Sequence, residues 1–500
     1  MNASAPPASD RRPNVLFVIT HDLSPRFGCY GDPYAVTPHL DALAQQATRF
    51  DRHYCQWPLC GPSRASLFSG LRPQHTRRHD NRPFWSTLRQ RQPAGYATMG
   101  EAFKNAGYRS ECVWHALHAY ETDPPSWSGP AWFPPNPPAP PSLEVIGAEE
   151  LRYWQSPASF ELIRERLARL RERGVPESQY ARRARGPAVE SADVDDAAYT
   201  DGRATDHAVK LLTELRDDAR PFFLAVGYEA GHLPWTAPKR DFDLYDRDAF
   251  AVPQPARPPL GSPEFALNDN EPAQYYTQHD YDQPWTADPA QAREMLHGHY
   301  ASISFLDRQI GRLLQGLRDA GVDQQTMVVV TSDHGFHMGE HNYWGKHSAW
   351  DASMHCPLIL RRPGQQNPAV VEQCTEHVDL HPTLCDAAGI ARPAGLDGRS
   401  LLDPQTQPDP CEDSAAVSYR RRLPGDGSCR YFDLLSIRTP RHRLTLYRDE
   451  AGREIGVELF DYLQDPQETR NHAGQPGYDQ VEATLRQRLA PHLAAFPGEG

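Results

Sequence analysis

The sequence predicts an α/β fold: a large mixed, mostly parallel sheet flanked by helices, then a smaller C-terminal α+β domain carrying an antiparallel sheet. Three observations carry this expectation. Short apolar runs at Val15–Thr20, at PFFLAVG from Pro221, and at Met327–Thr331 stop abruptly at polar residues, as buried parallel strands do. The order helix, Gly-containing cap, strand recurs, as in YATMGEAFKNAGYRSECVW from Tyr96 to Trp114. Beyond Leu402 the pattern changes to segments that alternate like antiparallel strands.

Taken in order, LDALAQQATRF (Leu40–Phe50) has helical spacing after the turn chemistry of Thr37-Pro38. In LCGPSRASLFSG, residues 59–70, the fixed φ of Pro62 marks N1 or N2 of a short helix. Cys60 and Gly61 are then expected in the preceding turn, where orphan N–H groups and the helix dipole favour an anion. PPSWSGPAWFPPNPPAPP (124–141) excludes a helix or central strand and reads as an ordered loop or a cover over a cleft. Leu151–Gly174 reads as a charged helix, Asp241–Pro289 as a long insertion, and Ala292–Gly321 as a helix closed by a Gly cap. DPQTQPDPCED reads as a linker, dividing a catalytic domain over 1–405 from a C-terminal subdomain over 406–500 that ends in the helix VEATLRQRLAPHLAAF.

Composition narrows the function. A formal net charge of −13 gives no basic surface for nucleic acid. No apolar stretch approaches the roughly 20 residues of a membrane span. The opening MNASAPPASDRRPNVLFVIT has no apolar segment before the first strand, so a cytoplasmic location is expected unless a leader has been removed. Nine cysteines form no CxxC and no zinc spacing, and most read as small buried hydrophobes. Cys60 stands apart because Gly-Pro-Ser-Arg comes directly after it.

The strand-like runs end in His21-Asp22, Gly231-His232 and Asp333-His334. Ligands of open α/β sheets collect outside the carboxyl ends of the strands, so these remote residues are expected to converge. Asp22 and Asp333 offer oxygen ligands to a divalent cation, and His21 and His334 add imidazole if the metal is softer. One such pair at a strand end is commonplace; two pairs plus an anion-oriented turn point to a site. Arg64, His118, His232 and Lys346 supply positive charge for a tetrahedral oxyanion.

CGPSRASLFSG resembles the signature of type I sulfatases of the alkaline phosphatase superfamily, C-x-P-S-R with a Ser-Gly or Thr-Gly several residues on; Cys60, Pro62, Ser63, Arg64 and Gly70 match it. PNVLFVITHD, TSDHG with GEH and GK, VDLHPTLCDAAGI with LDGRSL, and LFDYLQDPQETRNHA extend the resemblance along nearly the whole chain. GCYGD and PFFLAVGYEAGHLPW look most like the iduronate-2-sulfatase branch.

The resemblance implies that a formylglycine-generating enzyme, reading Pro62 and Arg64, converts Cys60 to formylglycine. It implies a metal held by Asp22, Asp333, His334 and residue 60, with His21 standing where the family usually has a first aspartate. Ca2+ is the implied metal, and the charge lost at His21 admits Mn2+ or Mg2+. Arg64 would support the aldehyde hydrate, His118 would deprotonate it, and His232 and Lys346 would hold sulfate and assist the leaving oxygen. His115 stands where the family usually has a sulfate-binding lysine. The implied substrate is a sulfated small molecule or saccharide, with Trp127, Trp132, Tyr275 and Tyr276 as candidate sugar-facing aromatics or simply packed loop residues. Two alternatives stay open: a phosphonate monoester or phosphodiester hydrolase using the same aldehyde, and a decayed relative that only binds anionic sugars. Oligomeric state is not legible.

Overall fold

The computed structural model describes residues 12–493 except 83, 268–269, 276–285, 403–415 and 423–431. Tyr276, Cys411, Cys429, the DPQTQPDPCED linker and the proposed boundary at 405/406 lie outside the described residues.

In chain order the elements that build the site are β1 (Asn14–Thr20), α1 (Pro38–Ala44), β2 (Thr48–Tyr54), α2 (Cys60–Ser69), α3 (Met99–Asn105), β3 (Arg109–Trp114), α4 (Thr200–Arg216) and β4 (Phe222–Gly227). They continue with α5 (Pro289–Asp319), β5 (Thr326–Ser332), β6 (His355–Cys356), β7 (Leu358–Arg361), β8 (Ala369–Glu376) and α6 (Leu380–Ala387). The strands form one mixed, mostly parallel sheet: β1 lies between β4 and β5, parallel to both, and β3 continues parallel to β4. β7 is antiparallel to β5 and β2, β6 is antiparallel to β2, and β8 is parallel to β2.

Period-two alternation decides which core each side chain enters. From β1, Leu16 and Val18 join one core while Val15, Phe17 and Ile19 join the other; Val328 and Val330 of β5 part from Met327 and Val329 in the same way. A sheet covered on both faces needs these near-continuous apolar runs. α4 and α5 pack on the first face, with Ala204, Leu212, Ile303 and Leu313 fully buried; α2, α3 and α6 pack on the second, with Leu67, Phe103 and Leu384 fully buried.

A separate antiparallel sheet of β9 (Ala416–Arg422), β10 (Phe432–Arg438), β11 (His442–Asp449) and β12 (Glu454–Asp461) is covered by α7 (Asp479–Leu493). Leu485 and Leu489 of α7 share a core with Leu435, Leu444 and Leu459, and Trp57, three residues before Cys60, is buried in that same core. Arg443 of β11 donates to the Ala349 carbonyl at 2.8 Å and to Asp351 Oδ1 at 2.6 Å. The small sheet therefore buttresses both the approach to Cys60 and the segment carrying Lys346.

Three expectations are corrected. The helix read over Leu40–Phe50 ends at Ala44, and Thr48–Phe50 open β2, since β-branched and aromatic side chains suit a half-buried strand. Helix α2 starts at Cys60, so Pro62 is the third helical residue; its missing N–H is among the orphans of the first turn and costs no hydrogen bond. The charged helix starts at Pro157, with Ser156 as its cap, and runs to Glu172. Among the described residues no helix is long and apolar enough to cross a membrane, and no disulfide joins the seven described cysteines.

Candidate active site

Where β1 and β5 end, the chain turns sharply. Asp22 has φ 56, and its N–H donates to Asp333 Oδ1 at 3.0 Å, tying the two strand ends together. Asp333 Oδ1 also accepts from the His334 N–H at 2.9 Å. From the opposite face α2 presents its first residue: Leu59 is extended, Cys60 is N1, and all ten helix residues are buried. The positive end of the helix thus lies at Cys60, beside the two aspartates, while the Gly61 N–H donates to Asn81 Oδ1 at 2.9 Å and the Ser63 N–H to the Leu59 carbonyl at 2.9 Å.

Cys60 Sγ sits at the centre. It lies 3.0 Å from His21 Nε2, 3.4 Å from His334 Nε2, 3.8 Å from Lys346 Nζ and 4.0 Å from Asp22 Oδ1. One ligand atom from each of His21, Asp22, Cys60, Asp333 and His334 falls within 4.8 Å of all the others, and all five residues are buried. Lys346 Nζ donates to Asp22 Oδ2 at 2.7 Å. Arg64, fully buried, donates from Nε to Asp333 Oδ2 at 3.0 Å, from Nη2 to the Thr20 carbonyl at 3.3 Å, and from Nη1 to the carbonyls of His115 and Ala116.

Histidines line the remaining side. The His21 ring is 4.4 Å from that of His232 and 4.8 Å from that of His115, and His118 follows at 6.2 Å from His115. His232 Nε2 lies 3.8 Å from Asp22 Oδ2. Among the described residues, neither ring nitrogen of His115 has a hydrogen-bond partner, nor do Nδ1 of His21 and Nδ1 of His118. Such buried orphan groups are costly unless a ligand completes them.

Two close approaches set this wall. A Cβ on Gly227 would lie 1.9 Å from the carbonyl carbon of His115, so only glycine lets β3's continuation cross the end of β4. Gly231 has φ +105, and a Cβ there would meet the His21 carbonyl oxygen at 2.4 Å.

Charge follows from burial. Desolvation pushes the Cys60 thiol well above its ordinary range, with Asp22 and Asp333 adding to it against Lys346 and Arg64. As a thiol, residue 60 is therefore a poor nucleophile here. Burial lowers His118 to about 3, with Arg64 and Arg78 pushing the same way, and lowers His21, His115 and His232. These imidazoles are neutral at pH 7 and able to accept a proton or bind a metal. Burial works against charge on Lys346 and Asp333 too, but Asp22 holds the lysine pKa well above its ordinary value, and His334 and Arg64 hold the Asp333 carboxyl well below its own.

Two carboxylates against Arg64 and Lys346 leave no net positive charge for an incoming anion. A divalent cation among these donors would supply it, and two carboxylates with two imidazoles suit one. The residues fit a divalent cation.

All ten site residues expected from sequence thus gather in one cluster, eight of them buried and His118 and His232 half-buried. Others were not foreseen: Glu271 Oε2 is 3.7 Å from Lys346 Nζ, and Asp201, Glu229 and Arg152 stand behind His115 and His232. No motif marks them. The sugar-facing aromatics are not found in that role: Trp127 packs in the core at 6.4 Å from Phe223, Trp132 stacks on His207 at 4.1 Å, and Tyr275 is buried with its hydroxyl bonded to Arg185 and the Leu233 carbonyl. Their rings fill loops that would otherwise leave voids.

Residues 13–390 match a family model described as Sulfatase, and residues 339–494 match one described as N-sulphoglucosamine sulphohydrolase, C-terminal. Human iduronate 2-sulfatase is 32% identical over 419 residues, covering 76% of this chain and 70% of the relative. Two solved structures share the fold over nearly the whole length. One, a phosphonate monoester hydrolase from Silicibacter pomeroyi, has a TM-score of 0.69 at 24% identity, covering 98% of this chain and 96% of the other. The second, solved with its substrate D-glucosamine-2-N,6-O-disulfate, has a TM-score of 0.69 at 20% identity, covering 97% and 98%.

Proposed function

Because the chain belongs to the sulfatase family and is a sulfatase with the alkaline phosphatase-like fold, we propose that it hydrolyses a sulfate ester of a saccharide, through formylglycine made from Cys60 and a divalent metal held by His21, Asp22, Asp333 and His334. The observation that carries this reading is the convergence of those four ligands and Cys60 within 4.8 Å, at a helix N-terminus and beside two buried cations. The saccharide is supported by the relatives, which include human iduronate 2-sulfatase, an ulvan-active sulfatase of Formosa agariphila and the glucosamine disulfate complex.

When bound, the metal supplies Lewis-acid polarisation of the transferred group and of the attacking oxygen. A hydrated aldehyde at position 60 would supply two hydroxyls on one carbon, where a thiol or serine offers a single nucleophilic group. The rest is done by the chain's own side chains. Arg64 bridges Asp333 and the carbonyls of Thr20, His115 and Ala116, and so fixes the carboxylate and both strand ends before substrate arrives. Lys346 on Asp22 is placed to meet charge that develops on the sulfuryl oxygens, without reorganisation at the moment of reaction. His118, held neutral, is the proton acceptor for release. His115 and His232 would contact the sulfate, and His232 and Lys346, both beside Asp22, would assist the leaving oxygen.

The test is turnover of an aryl sulfate, a phosphonate monoester and a phosphodiester side by side, and then of a panel of sulfated saccharides. Preference for the sulfate, with saccharide turnover, is expected. Preference for either phosphorus ester would replace this reading with the phosphonate hydrolase, whose structural relative shares the fold.

A further inference from the structure

Asp201 lies in the first turn of α4, remote from Cys60 in sequence and 3% exposed. Its carboxylate accepts from three donors on two different strand ends. Trp114 Nε1 donates to Oδ1 at 3.0 Å; the Glu229 N–H donates to both oxygens at 3.0 Å; the Ala230 N–H donates to Oδ2 at 2.7 Å.

What these donors carry gives the contact its meaning. Trp114 is the last residue of β3 and adjoins His115; it has φ 57, a left-handed conformation that is unfavourable for a bulky residue. Such a conformation persists only where its surroundings hold it. Glu229 and Ala230 begin the turn after β4 that delivers His232, whose own N–H donates to the Glu229 carbonyl at 3.1 Å. One carboxylate therefore clamps the indole of the residue before His115 to the backbone before His232. Glu229 is held in turn by Arg152, Tyr153 and, at 3.4 Å, Thr200, and the Arg152 guanidinium lies 5.8 Å over the Trp114 ring. Asp201, Glu229 and His232 line one cleft of about 350 Å³.

We propose that Asp201 is a positioning residue that sets the spacing of His115 and His232 and thereby tunes how tightly the enzyme holds the sulfate group. The inference rests on the sulfatase reading above, in which those two imidazoles contact sulfate. All three partners are N–H donors, so the position demands a group that only accepts. An amide of the same shape would turn an NH2 toward at least one of them and leave buried donors facing each other.

The test compares wild type, Asp201→Asn and Trp114→Phe with p-nitrophenyl sulfate as substrate and inorganic sulfate as competitive inhibitor. Metal content and melting temperature are measured on each preparation. For Asp201→Asn, KM and the sulfate Ki are expected to rise tenfold or more while kcat changes less than about threefold and metal content is unchanged. Trp114→Phe removes one donor and keeps the ring, so it should move Ki the same way by a smaller factor. If Asp201→Asn yields no folded protein, the Trp114→Phe shift in Ki alone decides. Ki and KM within twofold of wild type, or a fall in kcat with Ki unmoved, would overturn the proposal. Absence of aryl sulfate turnover in wild type would instead sink the sulfatase reading, a distinct outcome.

Discussion

In the proposed mechanism the groups around Cys60 each have a separable job, so single substitutions should fail in different ways. Lys346→Ala removes a cation aimed at the sulfuryl oxygens and leaves Asp22 unpaired; kcat for aryl sulfate should fall about 10²–10³-fold in steady-state assays. His118→Ala removes a neutral proton acceptor and should lower kcat about 10²–10⁴-fold, with metal content unchanged. His21→Asp exchanges an imidazole for a carboxylate among the ligands and should raise affinity for Ca2+ relative to Mn2+, read by calorimetry and by elemental analysis of the purified protein. The convergence of Cys60 with His21, Asp22, Asp333 and His334 was legible because each sits beside a local signal: Pro62 after Cys60, or a polar pair after an apolar run. Asp201 and Glu271 were not, because their roles come from contacts between elements far apart in sequence, and the neighbouring residues carry no pattern that announces them.

Elements place the site through close backbone approaches as much as through side chains. Gly227→Ala would push a Cβ into the His115–Ala116 peptide; we expect a loss of about 1–3 kcal/mol in urea unfolding, with a larger proportional loss of activity as His115 is displaced. The parallel strands β1, β4 and β5 were legible because both faces are buried and their apolar runs are unbroken. β2 was hidden, since TRFDRHY comes after a helical stretch and its burial comes from β7 and β8, strands that return more than three hundred residues later. The start of α2 was displaced for a similar reason: a proline tolerated anywhere in the first turn cannot fix which residue is N1.

At the scale of the molecule, stability depends on keeping many imidazoles uncharged. Burial lowers His299, His337 and His377 to about 3 and His381 to about 4, against an ordinary value of 6.5. Their folded-state pKa values are depressed, so below pH 6.5 the unfolded chain binds more protons than the folded one. Their contribution is complete above pH 6.5 and is lost as pH falls from there toward 3. The urea midpoint should therefore decline steadily on acidification through that window, and a midpoint that is flat down to pH 4 would contradict these burials. The two-sheet plan was legible from the switch in hydrophobic period near the end of the chain. How the small sheet grips the site, through Trp57 and the Arg443–Asp351 pair, was not, because both contacts join segments far apart in sequence.

The account turns on what residue 60 is in the working enzyme. Peptide mass spectrometry of the segment spanning Cys60, from protein co-expressed with a formylglycine-generating enzyme, measures it directly. We predict an aldehyde or its hydrate there, in a fraction that rises in step with aryl sulfate turnover. Full turnover from protein whose residue 60 is wholly thiol would contradict the account.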